Sequence, residues 1–163
     1  GMWPMDPVSD DALAALTALV QRQREASGCA IELLRVGACA HCAASHTAQL
    51  YGIAREAVVN AIKHARPQRI DIALDCRPGR EEKTIVLCVR DDGCGRGHAP
   101  AGEETQGLGL RIMSYRAEMV GGTFRIDDAP DGGTRISCRI PCHIPGRMSS
   151  PPQPAPAAQN TDA

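Results

Sequence analysis

Residues 56–64 read EAVVNAIKH, and on a helix this stretch separates a polar side from an apolar side. Glu56, Asn60 and then Lys63 or His64 follow one another at spacings of three or four residues, which brings them to one helix face. Apolar residues recur on another side of the same helix, at Ile53, Ala57, Ala61 and Ala65. The pattern predicts a helix that packs through one side and carries polar chemistry on the other.

Three glycine-containing motifs follow this helix along the chain. Residues 91–95 read DDGCG at the end of an apolar run, residues 107–110 read GLGL at the start of a second predicted helix, and residues 132–134 read GGT. Glycine lets the backbone come close to a ring, and the amide groups at a helix start attract phosphate oxygens. The series in this order predicts a nucleotide pocket.

Composition limits the classes of protein that fit the chain. Its 163 residues suffice for one domain with a hydrophobic core. The formal net charge is -1 and no Lys/Arg run stands out, which argues against a nucleic-acid partner. No apolar run approaches the roughly 20 residues that span a bilayer, so we expect no membrane contact. The eight cysteines are scattered, and we expect them to be reduced thiols in a cytoplasm.

The chain divides by composition into three parts. Residues 1–8 are interpreted as a leader, with Gly1 ahead of Met2 as the remnant of a removed tag. Residues 9–142 form the expected folded domain. Residues 143–163 are rich in proline and alanine and bury too little apolar area to order, so we expect a disordered tail.

Apolar periodicity and turn residues predict three helices and five strands. The helices are expected at 10–28, 47–65 and 107–120, and the strands at 29–36, 70–74, 84–89, 123–126 and 134–140. Pro67 ends the central helix because the residue before a proline is disfavoured in helical conformation. Residues 93–106 are expected to form a mobile loop over the pocket. The fold class is therefore α+β, a two-layer sandwich with helices on one face of an antiparallel or mixed sheet.

Each motif has a simpler structural explanation when it is taken alone. Glu56 and Asn60 offer the oxygen ligands that Mg2+ prefers, yet they also fit a solvated helix face. Asp91 at the end of a buried strand needs a donor such as an adenine amino group, yet Asp-Gly is also a frequent turn. The ordered series, rather than any single member, favours the nucleotide pocket.

A cysteine-rich segment stands apart from this series. Cys39, His41 and Cys42, with His46 nearby, are metal-ligand types at short spacing. No second ligand pair follows at zinc-finger spacing, so a metal site is the weaker of the two interpretations.

At these motifs the sequence resembles the ATP-binding catalytic domain of sensor histidine kinases in the GHKL superfamily, which has the Bergerat fold. Residues 55–65 resemble its N box, 89–95 its G1 box and 107–110 its G2 box. Residues 116–123 and 132–134 resemble the closing segment of the subgroup that pairs with helix-turn-helix response regulators.

The resemblance implies ATP and Mg2+ as ligands and assigns roles to matching residues. Asn60 would hold Mg2+, Glu56 would polarise the attacking group or a metal-bound water, and Lys63 would contact phosphate. Asp91 would read adenine, and Thr134 would join the hydrogen bonds near the base. The other implied nucleotide-binding positions are His64, Gly93, Gly95, Gly107, Leu108 and Gly109.

The resemblance also implies partners and leaves two alternatives. None of the five histidines lies in the setting of a phosphoacceptor, so we expect the γ-phosphate to go to a histidine on a separate dimerisation domain or chain, with a response regulator as an indirect partner. The alternatives are an anti-sigma-type serine kinase of the same superfamily and a non-catalytic, nucleotide-dependent interaction module. Thr105 stands where the G2 box usually has a glycine, which bears on lid closure.

Overall fold

The computed structural model describes residues 12–37, 44–76, 84–96 and 105–141. Within these ranges it contains three α-helices, one π-helical turn and five strands. In chain order they are α1 (Ala12–Ser27), β1 (Ala30–Val36), α2 (Ala44–Asn60), the π turn (Ala61–Ala65), β2 (Arg69–Asp75), β3 (Thr84–Asp91), α3 (Thr105–Glu118), β4 (Thr123–Asp128) and β5 (Thr134–Pro141). The leader, the tail and most of the cysteine-rich segment lie outside the described residues.

The five strands form one mixed sheet in the order β1-β2-β3-β5-β4. β1 and β2 are parallel, and α2 lies in the crossover that such a pair requires. The remaining neighbours are antiparallel. The predicted α+β class is confirmed, and the sheet is mixed rather than purely antiparallel.

The helices pack on one face of this sheet because alternate strand residues are apolar. In β3 the residues Ile85, Leu87 and Val89 are buried, whereas their neighbours along the strand are half-buried. From the helical layer, Leu16 of α1, Leu50 and Ile53 of α2, and Met113 of α3 are fully buried. α2 packs against both α1 and α3, and it is therefore the central helix of the layer.

The central helix ends differently from the prediction. A single helix over 47–65 was expected, but regular α-helix stops at Asn60 and a π turn continues to Ala65. Arg66 then adopts a left-handed conformation with φ 48° and ψ 54°, directly ahead of Pro67. α3 also begins at Thr105, two residues earlier than predicted.

Cysteine chemistry differs from the expectation at one position. Cys76 is disulfide-bonded, so the expectation of reduced thiols throughout is wrong for this residue. Cys29, Cys88, Cys94 and Cys138 are free. Among the described helices, none has the length and apolarity needed to cross a membrane.

The β4–β5 hairpin is fixed to the end of β3 by a close backbone contact. Gly133 has φ +87°, and a Cβ atom there would overlap the backbone carbonyl oxygen of Asp91. Gly132 has a similar φ of +92°, but nothing lies within 4 Å of its Cβ position. A side chain at Gly132 would therefore meet only the energetic cost of the left-handed backbone conformation. A side chain at Gly133 would meet that cost and a steric overlap with Asp91 as well.

Replacing each glycine with alanine should expose that difference. Gly132→Ala should lower the free energy of unfolding by about 1 kcal/mol, the cost of a left-handed conformation. Gly133→Ala should lower it by about 3 kcal/mol or more, because the overlap with Asp91 adds to that cost. Urea unfolding followed by circular dichroism measures both. Equal losses for the two variants would contradict the packing argument.

Candidate functional site

A cavity of about 510 Å³ lies between the end of α2 and the ends of β3, β4 and β5. Such a volume is in the range of small-molecule sites in proteins. Its lining residues are Ala57, Asn60, Ala61, His64, Ala65, Asp91, Gly95, Arg96, Leu110, Ile126, Asp128, Thr134 and Ile136. The cavity therefore brings together residues from all four sequence motifs or their immediate neighbours.

Asp91 is the most deeply buried polar group of the cavity. It is the last residue of β3 and is only 6% exposed. One carboxylate oxygen, Oδ1, accepts a hydrogen bond of 2.9 Å from the backbone N–H of Gly93, and the backbone N–H of Thr134 also donates to the carboxylate. A carboxylate has room for further donors, so Asp91 can still accept a hydrogen bond from a bound molecule.

The surroundings of Asp91 change its acidity. Desolvation by burial is the largest effect and raises the pKa of the carboxyl, and the negative charge of Asp92 acts in the same direction. The hydrogen bonds from Gly93 and Thr134 favour the ionised form and lower the pKa, but the net shift is upward. A ligand donor at this carboxylate would offset part of the desolvation.

The segment after β3 is attached to the π turn. A Cβ atom on Gly93 would collide with the backbone carbonyl of Ala65, and the N–H of Cys94 donates to that carbonyl at 3.1 Å. Gly95 reaches a φ of +76° beside Gly133. The two glycines let the chain pass closely between the π turn and the hairpin, which forms one wall of the cavity.

The polar face of α2 meets α3 at Gly109, one turn after the start of that helix. A Cβ atom on Gly109 would lie 2.6 Å from Nδ2 of Asn60 and 2.8 Å from Oε1 of Glu56. Gly109 is buried, and only a residue without a side chain fits between these two polar groups. This part of α3 is thereby held next to Asn60.

The predicted site residues do not all line the cavity. Five of them do, namely Asn60, His64, Asp91, Gly95 and Thr134. Gly93 and Gly109 shape the site through the contacts above, and Glu56 is half-buried beside Gly109. Lys63, Gly107 and Leu108 are exposed and are not part of the lining. Their binding roles stay predictions.

Two charged lining residues were missed from the sequence. Arg96 directly follows Gly95, and Asp128 ends β4 opposite Thr134 in the hairpin register. Pairing of the predicted strands at 123–126 and 134–140 could have indicated Asp128, because the hairpin places it opposite Thr134, a predicted site residue. For Arg96 no pattern distinguished it from other loop arginines.

The described part of the chain gives no support for a metal site in the cysteine-rich segment. Cys39, His41 and Cys42 lie outside the described residues, and His46 lies in the first turns of α2. Within residues 12–37, 44–76, 84–96 and 105–141, no group of three or more His, Cys, Asp or Glu side chains is placed to hold a metal ion.

Comparison with known proteins gives a family match over residues 45–144, to the family described as histidine kinase-, DNA gyrase B-, and HSP90-like ATPase. The oxygen sensor histidine kinase NreB of Staphylococcus carnosus is 36% identical over 94 residues, covering 56% of this chain and 25% of NreB. The nitrate/nitrite sensor protein NarQ of Escherichia coli is 40% identical over 89 residues, covering 54% of this chain and 15% of NarQ. The chain thus matches a quarter or less of these relatives.

Solved structures with the same fold include a histidine kinase domain and an ATP binding domain. The histidine kinase domain of the Erythrobacter litoralis EL346 blue-light activated histidine kinase aligns with a TM-score of 0.63 at 19% identity, over 87% of this chain and 66% of that one. The ATP binding domain of PrrB from Mycobacterium tuberculosis aligns with a TM-score of 0.55 at 22% identity, over 79% of this chain and 95% of that one. At these identities the likeness concerns the fold, and it confirms the predicted Bergerat-type arrangement.

The raised pKa of Asp91 predicts a specific pH dependence of stability. The folded state binds the Asp91 proton more tightly than the unfolded state, so this group's contribution to stability falls as the pH rises from its ordinary value of 3.8 through the raised pKa. The free energy of unfolding of the wild type, measured relative to Asp91→Asn, should therefore decrease over that window. Asp127→Asn, which changes a half-buried carboxylate of β4 outside the cavity lining, controls for the loss of one negative charge. A wild-type to Asp91→Asn difference that is constant with pH would contradict the assignment.

Proposed function

The chain belongs to the histidine kinase-, DNA gyrase B- and HSP90-like ATPase family, and from this premise we propose that it is the ATP-binding catalytic domain of a two-component sensor histidine kinase. The members of this family are ATP-binding domains, so ATP is the nucleotide assigned to the cavity of this chain. The single observation that carries the proposal is that Asp91 and Asn60 line the same cavity, from the sheet side and the helix side respectively. Kinase activity and its partners are part of the proposal, since the chain spans a quarter or less of the length of the relatives named above.

The Asp91 end of the cavity suits an adenine ring. The carboxylate accepts hydrogen bonds, and an adenine amino group supplies the donor that a buried carboxylate needs. Ile126, Ile136 and Leu110 give apolar contact for the faces of a ring. Thr134 lies beside Asp91 and is available to the base through its hydroxyl group.

The Asn60 end suits the phosphates and Mg2+. The side-chain oxygen of Asn60 is a ligand type that Mg2+ accepts, and the amide groups at the start of α3 are suited to phosphate oxygens. Mg2+, when bound, would neutralise charge on the phosphates. Glu56 is positioned beside Asn60 to polarise the attacking group, while Lys63 and Arg96 are cations that can approach phosphate from the exposed side.

Phosphoryl transfer in this scheme depends on positioning and charge rather than on covalent chemistry by the chain. The acceptor is a histidine on a dimerisation domain, in the same kinase or on another chain, and the phosphoryl group then passes to a response regulator. The names of NreB and NarQ as sensor proteins support this assignment. The chain itself supplies the donor site.

Binding of a non-hydrolysable ATP analogue should depend on Asp91. Asp91→Asn should weaken binding about 10- to 100-fold, the effect of losing a hydrogen bond to a charged group of roughly 1.5–3 kcal/mol. Asp127→Asn, which removes the same charge outside the cavity lining, should change the affinity less than about twofold. Isothermal titration calorimetry on the three proteins gives the comparison. Equal affinity in wild type and Asp91→Asn would exclude this carboxylate from nucleotide binding.

Transfer itself is tested by mixing the chain with isolated histidine-bearing dimerisation domains and γ-labelled ATP. We expect Mg2+-dependent label on the acceptor that is lost in acid and retained in alkali, as a phosphoramidate bond requires, and we expect Asn60→Ala to reduce its rate at least tenfold. Acid-stable label on a regulatory protein would instead identify a serine kinase. Nucleotide binding without transfer to any acceptor would favour an interaction module.

A further inference from the structure

Asp128 is a charged residue of the cavity to which the proposed function gives no role. It is the last residue of β4, and its side chain is exposed where it lines the cavity. Ile126 lines the cavity as well, because alternate residues of a strand lie on the same face. Asp127 lies between them on the opposite face, where its Oδ2 is 3.9 Å from Nη2 of Arg135. The two adjacent aspartates of β4 therefore have different surroundings.

The carboxylate of Asp128 is available to a bound molecule. Within the part of the chain that the structure describes, its side chain makes no hydrogen bond or ion pair, and the same holds for Arg96, a cation of the same cavity. Both residues flank the hairpin turn. The N–H of Ala129 donates to the carbonyl of Gly133 at 3.0 Å, and a Cβ atom on Gly95 would lie 3.6 Å from that carbonyl oxygen. The cavity thus carries an anion and a cation beside this turn that do not pair with each other.

Asp128 lies in the same row of the sheet as Asp91. Thr134 pairs with Asp128 across the hairpin, and the N–H of Thr134 donates to the carboxylate of Asp91. The three residues belong to the adjacent strands β3, β5 and β4. Two strand spacings, about 10 Å, therefore separate the backbones of the two aspartates. Asp91 is buried and Asp128 is exposed, so the row runs from the depth of the cavity to its open side.

An adenine nucleotide has few groups that can donate to a second carboxylate. A carboxylate only accepts hydrogen bonds, and the ring nitrogens and phosphate oxygens of the nucleotide are acceptors too. The donors of the nucleotide are the amino group of the base and the two ribose hydroxyl groups. The proposed function assigns the amino group to Asp91, and the separation of about 10 Å favours a donor farther along the nucleotide. The ribose hydroxyl groups are the donors that remain for Asp128.

We propose that Asp128 accepts a hydrogen bond from the ribose of the nucleotide and makes the site selective for ribonucleotides over deoxynucleotides. The identification rests on the proposed function, in which the base lies at Asp91 and the phosphates lie at Asn60. The sugar is attached to the side of the adenine ring that is remote from the amino group. When the amino group is buried at Asp91, the sugar is therefore directed to the open side of the cavity, where Asp128 is exposed.

Nucleoside diphosphates test this contact without phosphoryl transfer. Isothermal titration calorimetry measures the affinities of ADP, 2′-deoxy-ADP and 3′-deoxy-ADP for the full chain at a constant Mg2+ concentration. The variants are Asp128→Ala, Asp128→Asn and the matched control Asp127→Ala, which removes a carboxylate from the neighbouring residue on the other face of β4. The quantity compared is the ratio of the ADP affinity to the affinity of each deoxy analogue. Loss of a negative charge changes the binding of all three nucleotides alike, so the ratio reports the hydrogen bond.

We expect the wild type to bind ADP about 3- to 10-fold more tightly than at least one deoxy analogue, the effect of one hydrogen bond. Asp128→Ala should abolish this preference. Asp128→Asn should retain part of it, because the amide keeps an acceptor oxygen. Asp127→Ala should show the wild-type ratio. A purely structural role of Asp128 would lower all three affinities together and leave the ratio unchanged, which would overturn the proposal.

Other outcomes separate this proposal from the proposed function. Equal affinity of the wild type for ADP and both deoxy analogues would overturn the ribose contact and leave the proposed function intact. Purine riboside diphosphate, which lacks the amino group, tests the base. If Asp128→Ala abolishes the preference for ADP over this analogue, Asp128 binds the base and the proposal fails. Absence of ADP binding by the wild type would reject the proposed function and this inference together.

Discussion

The site depends on how the chain stabilises the carboxylate of Asp91, which is buried at the end of the central strand β3. Asp91 is 6% exposed, and two backbone N–H groups, from Gly93 and Thr134, donate to it. Those donors come from two different segments, which must approach closely, and Gly93 and Gly133 permit this because neither carries a Cβ atom. The same close approach fixes the hairpin and the π turn around the cavity. Packing of the sheet end and acidity of the carboxylate are thus consequences of one arrangement.

Most of the fold was predictable because its signals are local. Alternating apolar residues identified β2, a nearly continuous apolar run identified β3, and Pro67 marked the end of the central helix region. Helical spacing brought Asn60 and His64 to one face, and the structure places both on the cavity. The opposing position of Asp91 followed only from the ordered motifs and the family they resemble, since no periodicity relates a helix face to a strand end thirty residues away.

What the sequence did not predict depends on contacts between distant segments. The π turn at Ala61–Ala65 has no residue pattern that distinguishes it from α-helix, and its last carbonyl, that of Ala65, accepts a hydrogen bond from the distant residue Cys94. Arg96 and Asp128 reach the cavity only through the paths of a loop and a hairpin. The face through which α3 packs was not predicted, and only the fold showed that Met113 and Ala117 are buried while Leu108, Ile112, Tyr115 and Met119 are exposed. The spacing of the cysteines along the sequence likewise did not predict that Cys76 is disulfide-bonded.

The π turn makes the length of the central helix unusually constrained. Each residue of an α-helix advances the side chains by about 100° around the axis, so one residue fewer between Asn60 and Arg66 would restore regular helix but turn His64 and Ala65 away from the cavity. The deletion would also move the Ala65 carbonyl away from the N–H of Cys94 and break the hydrogen bond between them. Homologous chains can therefore exchange residues in this segment more readily than they can gain or lose one, and alignments of the family should be free of gaps here.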